Sequence, residues 1–276
     1  MSTKNIVWLA SYPKSGNTWT RAFLMNYFMD PEKPLPINEL HRFSNSDANT
    51  SLYSKVAGQK IDPTNHQVAM SLRPRVLNAI AGNGADINLV KSHNINDIAY
   101  GQPLIPANLT RTAVYILRNP LDMVLSYSRH FGMTIDKTIY AIGNKNNASK
   151  GDDSSVPQYM GKWSDHVLGW TRTRNFPVHV MRYEDMLAKP QESFGKLLST
   201  LGFPLDDAKL AKAIEFSSFK ELKRQESSYG FIEQSSKNEN FFHSGQSDQW
   251  KSDLTAEQIA KVRQDHGKVM QKYGYF

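Results

Sequence analysis

The sequence of 276 residues contains no cysteine, so disulfide bonds and thiolate metal sites are excluded. Apolar runs are short, since none approaches about 18 residues, the length that a membrane-spanning helix requires. The start of the chain has neither a basic segment nor a long apolar one. We therefore expect no membrane span, no secretion signal and a cytoplasmic protein.

Histidines with the spacing of metal ligands are also missing, because no two stand where one helix would place them on the same face. We therefore expect no metal. The net charge of +7 favours anionic ligands, although charge alone does not distinguish a small phosphorylated molecule from a nucleic acid. The length and the 39% hydrophobic content allow one domain over residues 1–276.

A short loop carries the first functional signal. Residues 6–10 are apolar and precede Ser-Tyr-Pro-Lys-Ser-Gly-Asn-Thr-Trp at residues 11–19, after which an amphipathic run begins. A strand that leads through small residues into a helix presents free N–H groups and a favourable dipole to a phosphate. Lys14 precedes Gly16, so the nucleoside-triphosphatase pattern is absent. The alternative is an ordinary turn with a solvated lysine.

This loop resembles the 5'-phosphosulfate loop of cytosolic sulfotransferases, which use 3'-phosphoadenosine 5'-phosphosulfate (PAPS). The resemblance covers residues 6–273 and implies that the loop binds the 5'-phosphate and that an aromatic ring stacks on the adenine. The residues concerned are Lys14, Ser15, Gly16, Asn17, Thr18 and, for the ring, Trp19.

The second signal is the sequence Leu-Val-Lys-Ser-His at residues 89–93. Side chains in a strand alternate, so Lys91 and His93 are predicted to share one face. The resemblance implies that His93 is the catalytic base and that Lys14 and Lys91 stabilise charge on the transferring sulfuryl group. Imidazole suits a base because its usual pKa is about 6.5. The alternative is a structural histidine at the strand end whose hydrogen bonds are satisfied.

Two further blocks match the family in order along the chain. Arg118 and Ser126 have the spacing of the family's 3'-phosphate site, and arginine can bind a phosphate with two N–H groups. The Tyr-Glu-Asp turn implies that Tyr183 hydrogen-bonds the adenine, and Phe219 matches the second stacking ring. Alternatively, these residues form an ion pair or pack in the core.

The last block departs from the family, which has Arg-Lys-Gly followed by Trp. Here His243 and Ser244 replace the two cations, while Gly245 and Trp250 remain. We expect these three residues, 243–245, to contact the nucleotide, with weaker binding or compensation by other cations such as Lys237. The family's dimerisation segment is also altered, so the oligomeric state is left open.

Apolar β-rich runs alternate with helical spacing along the chain. Strands are predicted at 6–10, 87–93, 112–117 and 178–182. A helix is predicted after the loop, and helical stretches are predicted on both sides of Pro74, the second over 75–81. Further helices are predicted at 121–131, 162–174, 185–201, 205–216, 219–224 and 255–273. Residues 30–60 are predicted to form an irregular surface or a cap over a site, and residues 144–157 to form a mobile loop. The predicted fold is a single α/β domain with a mostly parallel central sheet flanked by helices and a P-loop-like phosphosulfate-binding loop.

The hypothesis is therefore a PAPS-dependent sulfotransferase that releases adenosine 3',5'-bisphosphate (PAP) and sulfates a hydroxyl or amine-type nitrogen of a small organic acceptor. From the breadth of the family we expect a bacterial enzyme of natural-product biosynthesis, without nucleic-acid or membrane partners. A nucleotide-dependent phosphotransferase and a basic module that binds nucleic acid or glycan are the alternatives.

Overall fold

The computed structural model describes residues 4–234 and 240–276 of the chain. The strands in these residues are β1 Ile6–Ser11, β2 Asn45–Ser46, β3 Asn88–Ser92, β4 Ile98–Ala99, β5 Gln102–Pro103, β6 Thr110–Leu117 and β7 Val178–Arg182. The helices are α1 Asn17–Met29, α2 Leu40–Phe43, α3 Thr50–Ala57, α4 His66–Ala81, α5 Pro120–Phe131, α6 Ile135–Ile142, α7 Trp163–Thr171, α8 Tyr183–Ala188, α9 Pro190–Thr200, α10 Asp207–Phe216, α11 Phe219–Tyr229, α12 Trp250–Asp253 and α13 Ala256–Lys272, with a 3₁₀ turn at Ile37–Glu39.

The central sheet has five parallel strands in the order β2-β3-β1-β6-β7. β1 is buried along its whole length, because its apolar side chains are covered on both faces of the sheet. It pairs in parallel with β3, so that Ala10 lies opposite Ser92. The predicted α/β fold with a parallel sheet flanked by helices is confirmed.

The chain forms two compact units, each built from three segments. The first contains residues 1–12, 44–115 and 142–180, and the second contains residues 13–43, 116–141 and 181–276. In the first unit the rings of Trp8 and Trp170 meet edge to face at 6.3 Å. In the second unit Phe23 and Phe194 stack at 4.0 Å. One domain over residues 1–276 therefore stays a prediction.

The predicted irregular stretch at residues 30–60 is wrong in part. It contains α3, which Asn49 caps by accepting a hydrogen bond from the backbone N–H of Leu52, and which ends at Gly58 in the left-handed region. It also contains β2, which pairs with β3. The short polar residues that favour loops in a sequence serve here as helix caps and as an edge strand.

Helix α4 is continuous through Pro74, whereas the sequence predicts separate helical stretches on either side of this proline. A proline inside a helix removes one backbone hydrogen bond and normally ends or kinks the helix. Here Ala69, Met70, Val76 and Leu77 are buried on both sides of it. Burial of this apolar face outweighs the local penalty.

Residues 144–157 contain no helix or strand, in agreement with the predicted loop. The loop is nevertheless held in place, since the backbone N–H of Ser149 donates to the carbonyl of Gln158 and that of Val156 to Ala48, both at 2.8 Å.

Helix α6, just before this loop, was not predicted. No helix in the described part of the chain is long and apolar enough to cross a membrane.

Candidate active site

The loop between β1 and α1 makes a turn that requires glycine at residue 16. Gly16 has φ +110° and Lys14 has φ +68°. A Cβ atom on Gly16 would lie 2.9 Å from Cδ2 of Tyr183, so the ring of Tyr183 packs directly on the glycine backbone. The loop is therefore held between its own left-handed residues and a buried aromatic ring.

The start of α1 lacks the groups that usually satisfy a helix N-terminus. Gly16 is the N-cap, no side chain caps the helix, and its first turn carries no acidic residue. Ser15 is buried, and its hydroxyl has no hydrogen-bond partner within residues 4–234 and 240–276. Both features suit an anion, which would accept hydrogen bonds from this hydroxyl and from the backbone N–H groups.

Arg118 follows β6 and connects this loop to residues 243–250, which we name the C-terminal strap. Its Nη1 donates to the carbonyl of Lys14 at 3.1 Å, and its Nη2 donates to the carbonyl of Gln246 at 3.2 Å. The guanidinium lies 4.3 Å from the ring centroid of Tyr183. Its buried Nε–H has no acceptor in the described part of the chain. Arg118 thus fixes the site and retains a donor for a ligand.

The C-terminal strap is also attached to α5 through one carboxylate. Asp122 is buried and accepts hydrogen bonds from the backbone N–H groups of Asp248 and Trp250, at 2.8 and 3.1 Å. At its other end, the carbonyl of His243 accepts from Nζ of Lys223 at 3.4 Å. The strap therefore spans from α11 to α5.

The ring of Phe219 leaves no room for a side chain at Gly245 of the strap. Gly245 has φ +62°, and a Cβ atom there would lie 2.4 Å from carbon atoms of the Phe219 ring. Ser244, which precedes it, donates a hydrogen bond to Gln249 within the strap at 2.7 Å. Phe219 therefore supports the strap, and its predicted stacking on adenine stays a prediction.

Trp19 and Tyr183, the other two predicted adenine contacts, lie next to each other. The ring of Trp19 meets Tyr183 at 5.8 Å and Phe194 at 5.5 Å, both edge to face. Burial raises the pKa of Tyr183, so its hydroxyl stays protonated and can donate. The indole N–H of Trp19 is buried without an acceptor among the described residues. Lys14, by contrast, places its ammonium 3.3 Å from the ring centroid of Phe241.

His93 lies in the first unit, directly after β3. Val90 and Ser92 are buried while Lys91 and His93 are half-buried, which is the alternation predicted for side chains on opposite faces. Nδ1 of His93 lies 2.8 Å from the carbonyl oxygen of Ser11. A carbonyl only accepts hydrogen bonds, so Nδ1 carries the proton and the neutral ring has its lone pair on Nε2. This is the tautomer that a base acting through Nε2 requires.

His166 supports the backbone of His93, a role that sequence reasoning missed. Its Nε2 donates to the carbonyl of His93 at 3.2 Å, and its Nδ1 accepts from the hydroxyl of Tyr115 at 2.8 Å. Burial lowers the pKa of His166 to about 3, and the hydrogen bond to His93 opposes this shift. The sequence signal was a histidine on the apolar face of α7, between Trp163 and Trp170.

A buried ion pair fixes the residues beside His93. Oδ2 of Asp47 accepts from Arg73 at 2.7 Å, from Ser92 at 2.8 Å and from the side chain of Asn94 at 2.9 Å. Asp47 and Arg73 are fully or almost fully buried. These contacts hold both neighbours of the predicted base.

The predicted residues thus fall into two sets, one in each unit. Lys91 and His93 belong to the first unit, and the predicted nucleotide contacts belong to the second. Ser126 is half-buried on α5. Lys237, predicted as a compensating cation, lies outside the described residues. Among residues 4–234 and 240–276, no cluster of three or more histidine, aspartate or glutamate side chains could hold a metal ion.

The family model of the sulfotransferase domain matches residues 4–274. The chain belongs to this family. The match confirms the prediction of a PAPS-dependent sulfotransferase.

Sulfotransferases from an animal and a plant resemble more than nine tenths of the chain. Sulfotransferase 1A1 of Canis lupus familiaris is 25% identical over 281 residues, which cover 96% of this chain and 83% of the dog protein. Cytosolic sulfotransferase 5 of Arabidopsis thaliana is 25% identical over 265 residues, which cover 92% and 76%.

Two solved structures that contain PAP share the fold. Mouse sulfotransferase SULT7A1 complexed with PAP has a TM-score of 0.59 at 19% identity and covers 97% of this chain and 85% of its own. Retinol dehydratase in a complex with retinol and PAP has a TM-score of 0.62 at 12% identity, covering 98% and 82%.

Proposed function

We propose that this sulfotransferase transfers the sulfuryl group of PAPS to a hydroxyl or amine-type nitrogen of a small organic acceptor, with His93 as general base. The observation that carries the proposal is the hydrogen bond between Nδ1 of His93 and the carbonyl of Ser11, which leaves Nε2 of the neutral ring as the basic nitrogen. The acceptor gives its proton to Nε2 as its oxygen or nitrogen forms the bond to sulfur.

The phosphosulfate end of the donor would be held by the loop before α1. The hydroxyl of Ser15 and the N–H groups at the start of α1 donate to the 5'-phosphate, which leaves as the sulfur–oxygen bond breaks. Lys14 and Lys91 stabilise the negative charge that develops there. Asn17 and Thr18, both buried in the first turn of α1, complete this set.

The adenosine end would be bound by the second unit. Trp19 and Phe219 offer ring faces to the adenine, and the hydroxyl of Tyr183 donates to it. Arg118 and Ser126 hold the 3'-phosphate. The support is the position of Arg118, whose guanidinium reaches the loop, the strap and the ring of Tyr183.

A small and partly aromatic acceptor agrees with the side chains of the second unit. His130 meets Phe131 at 4.7 Å and Phe241 at 5.7 Å, both edge to face. Retinol dehydratase, which shares the fold, was solved with androsterone and with retinol. A role in natural-product biosynthesis and a cytoplasmic location remain part of the proposal.

The first experiment is calorimetric titration of the full chain with PAP and with ADP, both without magnesium. A clear preference for PAP, followed by sulfate transfer from PAPS in a screen of phenols, alcohols and amines, is the expected result. Equal affinity for both nucleotides, together with no transfer, would contradict the proposal.

The role of His93 is tested by His93→Ala. Removing a general base typically slows catalysis by about 10²- to 10⁴-fold, whereas PAP affinity should stay within about twofold because no step of nucleotide binding uses this ring. Initial rates with the best acceptor from the screen and calorimetry with PAP measure the two effects. The exposed His41→Ala is the matched control. Normal turnover of His93→Ala would remove the base from this mechanism.

A further inference from the structure

The C-terminal strap lacks the two cations that its resemblance to the family leads one to expect, since His243 and Ser244 occupy their positions. The rest of the pattern is intact, because Gly245 packs on Phe219 and the strap is bound to Asp122 and Arg118. The strap therefore keeps the backbone arrangement expected of a phosphate-binding segment, but it lacks the two cationic side chains that would bind the phosphate.

Two cations are carried by α11 and α5, the two helices that bind the strap. Lys223, on α11, donates from Nζ to the carbonyl of His243 at 3.4 Å. Arg129 is half-buried in the last turn of α5, three residues after Ser126, so the two share one face of the helix. The Nε–H of Arg129 is buried and has no acceptor in the described part of the chain.

The charges of Arg129 and Lys223 both act on the imidazole of His243 in the strap. Burial lowers the pKa of His243, and the charges of Arg129 and Lys223 lower it further, while Asp253 opposes the shift. Burial also lowers the pKa of Arg129, where Asp253 opposes the shift and Arg118 adds to it. Two other acidic groups lie at the strap: Asp122 accepts from two backbone N–H groups, and Asp248 pairs with Lys251 at 3.1 Å. The cluster therefore concentrates positive charge where an anion would relieve the repulsion.

We propose that Arg129 and Lys223 bind the 3'-phosphate of the nucleotide together with Arg118 and Ser126, and so replace the two cations that the strap has lost. The inference rests on the proposed function and extends it to two residues outside the blocks that carry the resemblance. The dianionic phosphate would then contact two arginines, one just before α5 and one on it, together with the hydroxyl of Ser126 and the ammonium of Lys223 on α11.

The test compares PAP with adenosine 5'-monophosphate, which lacks the 3'-phosphate, by calorimetric titration of the full chain. Arg129→Gln and Lys223→Gln should each weaken PAP binding by about ten- to a hundredfold, the usual effect of losing a charge-assisted hydrogen bond. Binding of adenosine 5'-monophosphate should change by less than about twofold, because exposed charges act weakly beyond about 8 Å at physiological salt. Lys196→Gln, an exposed lysine on α9, controls for the loss of one charge.

A rescue variant separates a direct contact from a structural effect. His243→Arg in the Arg129→Gln background returns a cation to the strap and should recover most of the lost PAP affinity. Equal losses for both nucleotides, unchanged PAP affinity or no rescue would overturn the inference. Lys223 is exposed, so its variant keeps the test valid if Arg129→Gln does not fold.

The wild-type protein distinguishes this inference from the function on which it depends. If it binds PAP no better than adenosine 5'-monophosphate and transfers no sulfate, the proposed function fails. If it prefers PAP and the two variants keep that preference, only the assignment of Arg129 and Lys223 fails.

Discussion

At the scale of single residues, Gly16 in the loop between β1 and α1 can be substituted without changing the charge of the protein. Alanine there would have φ +110° and a Cβ atom 2.9 Å from the Tyr183 ring. We expect Gly16→Ala to lower the free energy of unfolding by about 1–3 kcal/mol and PAP affinity by at least about tenfold, because the loop must move away from Tyr183. Urea denaturation and calorimetry measure the two effects.

Gly202→Ala is the matched control in the same unit. Its φ of +82° imposes a similar backbone strain, but a Cβ atom there would meet nothing within 4 Å. It should cost about 1–2 kcal/mol of stability and leave PAP affinity unchanged. If both variants bind PAP as the wild type does, the packing of Tyr183 on Gly16 has no role in binding.

The site residues that stand in family-like blocks could be predicted from the sequence. The side chains that contact and position them could not. Lys14, Arg118 and Tyr183 stand in short blocks whose residue types signal phosphate chemistry, and the structure places them in contact. Arg129 and His166 stand in ordinary amphipathic helices. Their significance depends on which side chains the fold brings beside them, and spacing along one helix does not contain that information.

At the scale of elements, the Asp47–Arg73 pair connects α4 to the residues just after β2 and β3. Asp47→Ala would leave the buried guanidinium of Arg73 without its carboxylate. Such a loss typically costs about 3–5 kcal/mol. We expect a decrease of that size in the free energy of unfolding. We also expect slower turnover with PAP affinity retained, because Ser92 and Asn94 beside His93 lose their acceptor.

An exposed ion pair provides the comparison for this buried one. Glu39→Gln removes the partner of Arg42, whose side chain is 74% exposed, and should change stability by less than about 1 kcal/mol. Denaturation curves and initial rates of both variants compare the effect of the buried ion pair with that of the exposed one. If Asp47→Ala costs no more than Glu39→Gln, the buried pair does not organise the end of β3.

Elements with strong periodicity were predicted well, and those set by tertiary contacts were not. β7 has the predicted bounds, and α5 differs by one residue, since Pro120 forms its first turn. β2, by contrast, is two residues long and exists through its pairing with β3. Helix α4 crosses Pro74 because its buried face compensates for the missing hydrogen bond, a balance that local sequence cannot show.

At the scale of the whole molecule, the blocks of the resemblance divide between the two compact units. The chain passes from one unit to the other between Tyr12 and Pro13, just before Lys14, and again within β6 and β7. The predicted base and the predicted nucleotide contacts are thus carried by different units, each with its own core. Variants of the first unit are therefore expected to affect turnover, and variants of the second to affect nucleotide affinity.

The stability of the whole protein should fall in mild acid because of His166. The folded state keeps this ring neutral down to a pKa of about 3, whereas the unfolded chain takes up a proton near the ordinary value of 6.5. Between these values the unfolded state binds more protons, so the free energy of unfolding decreases as pH falls. At pH 4.5 the contribution of this one group is a loss of about 2–3 kcal/mol relative to pH 7.

Urea denaturation of the wild type and of His166→Gln at pH 7 and pH 4.5 measures this contribution. The variant lacks the titrating ring, so its stability should fall by about 2–3 kcal/mol less between the two pH values, even if it is weaker at pH 7 through altered hydrogen bonds to Tyr115 and His93. Carboxylates contribute equally to both proteins and cancel in the difference. Parallel losses would mean that His166 is protonated in the fold, in which case its Nδ1 could not accept from Tyr115 and the support proposed for His93 would need another arrangement.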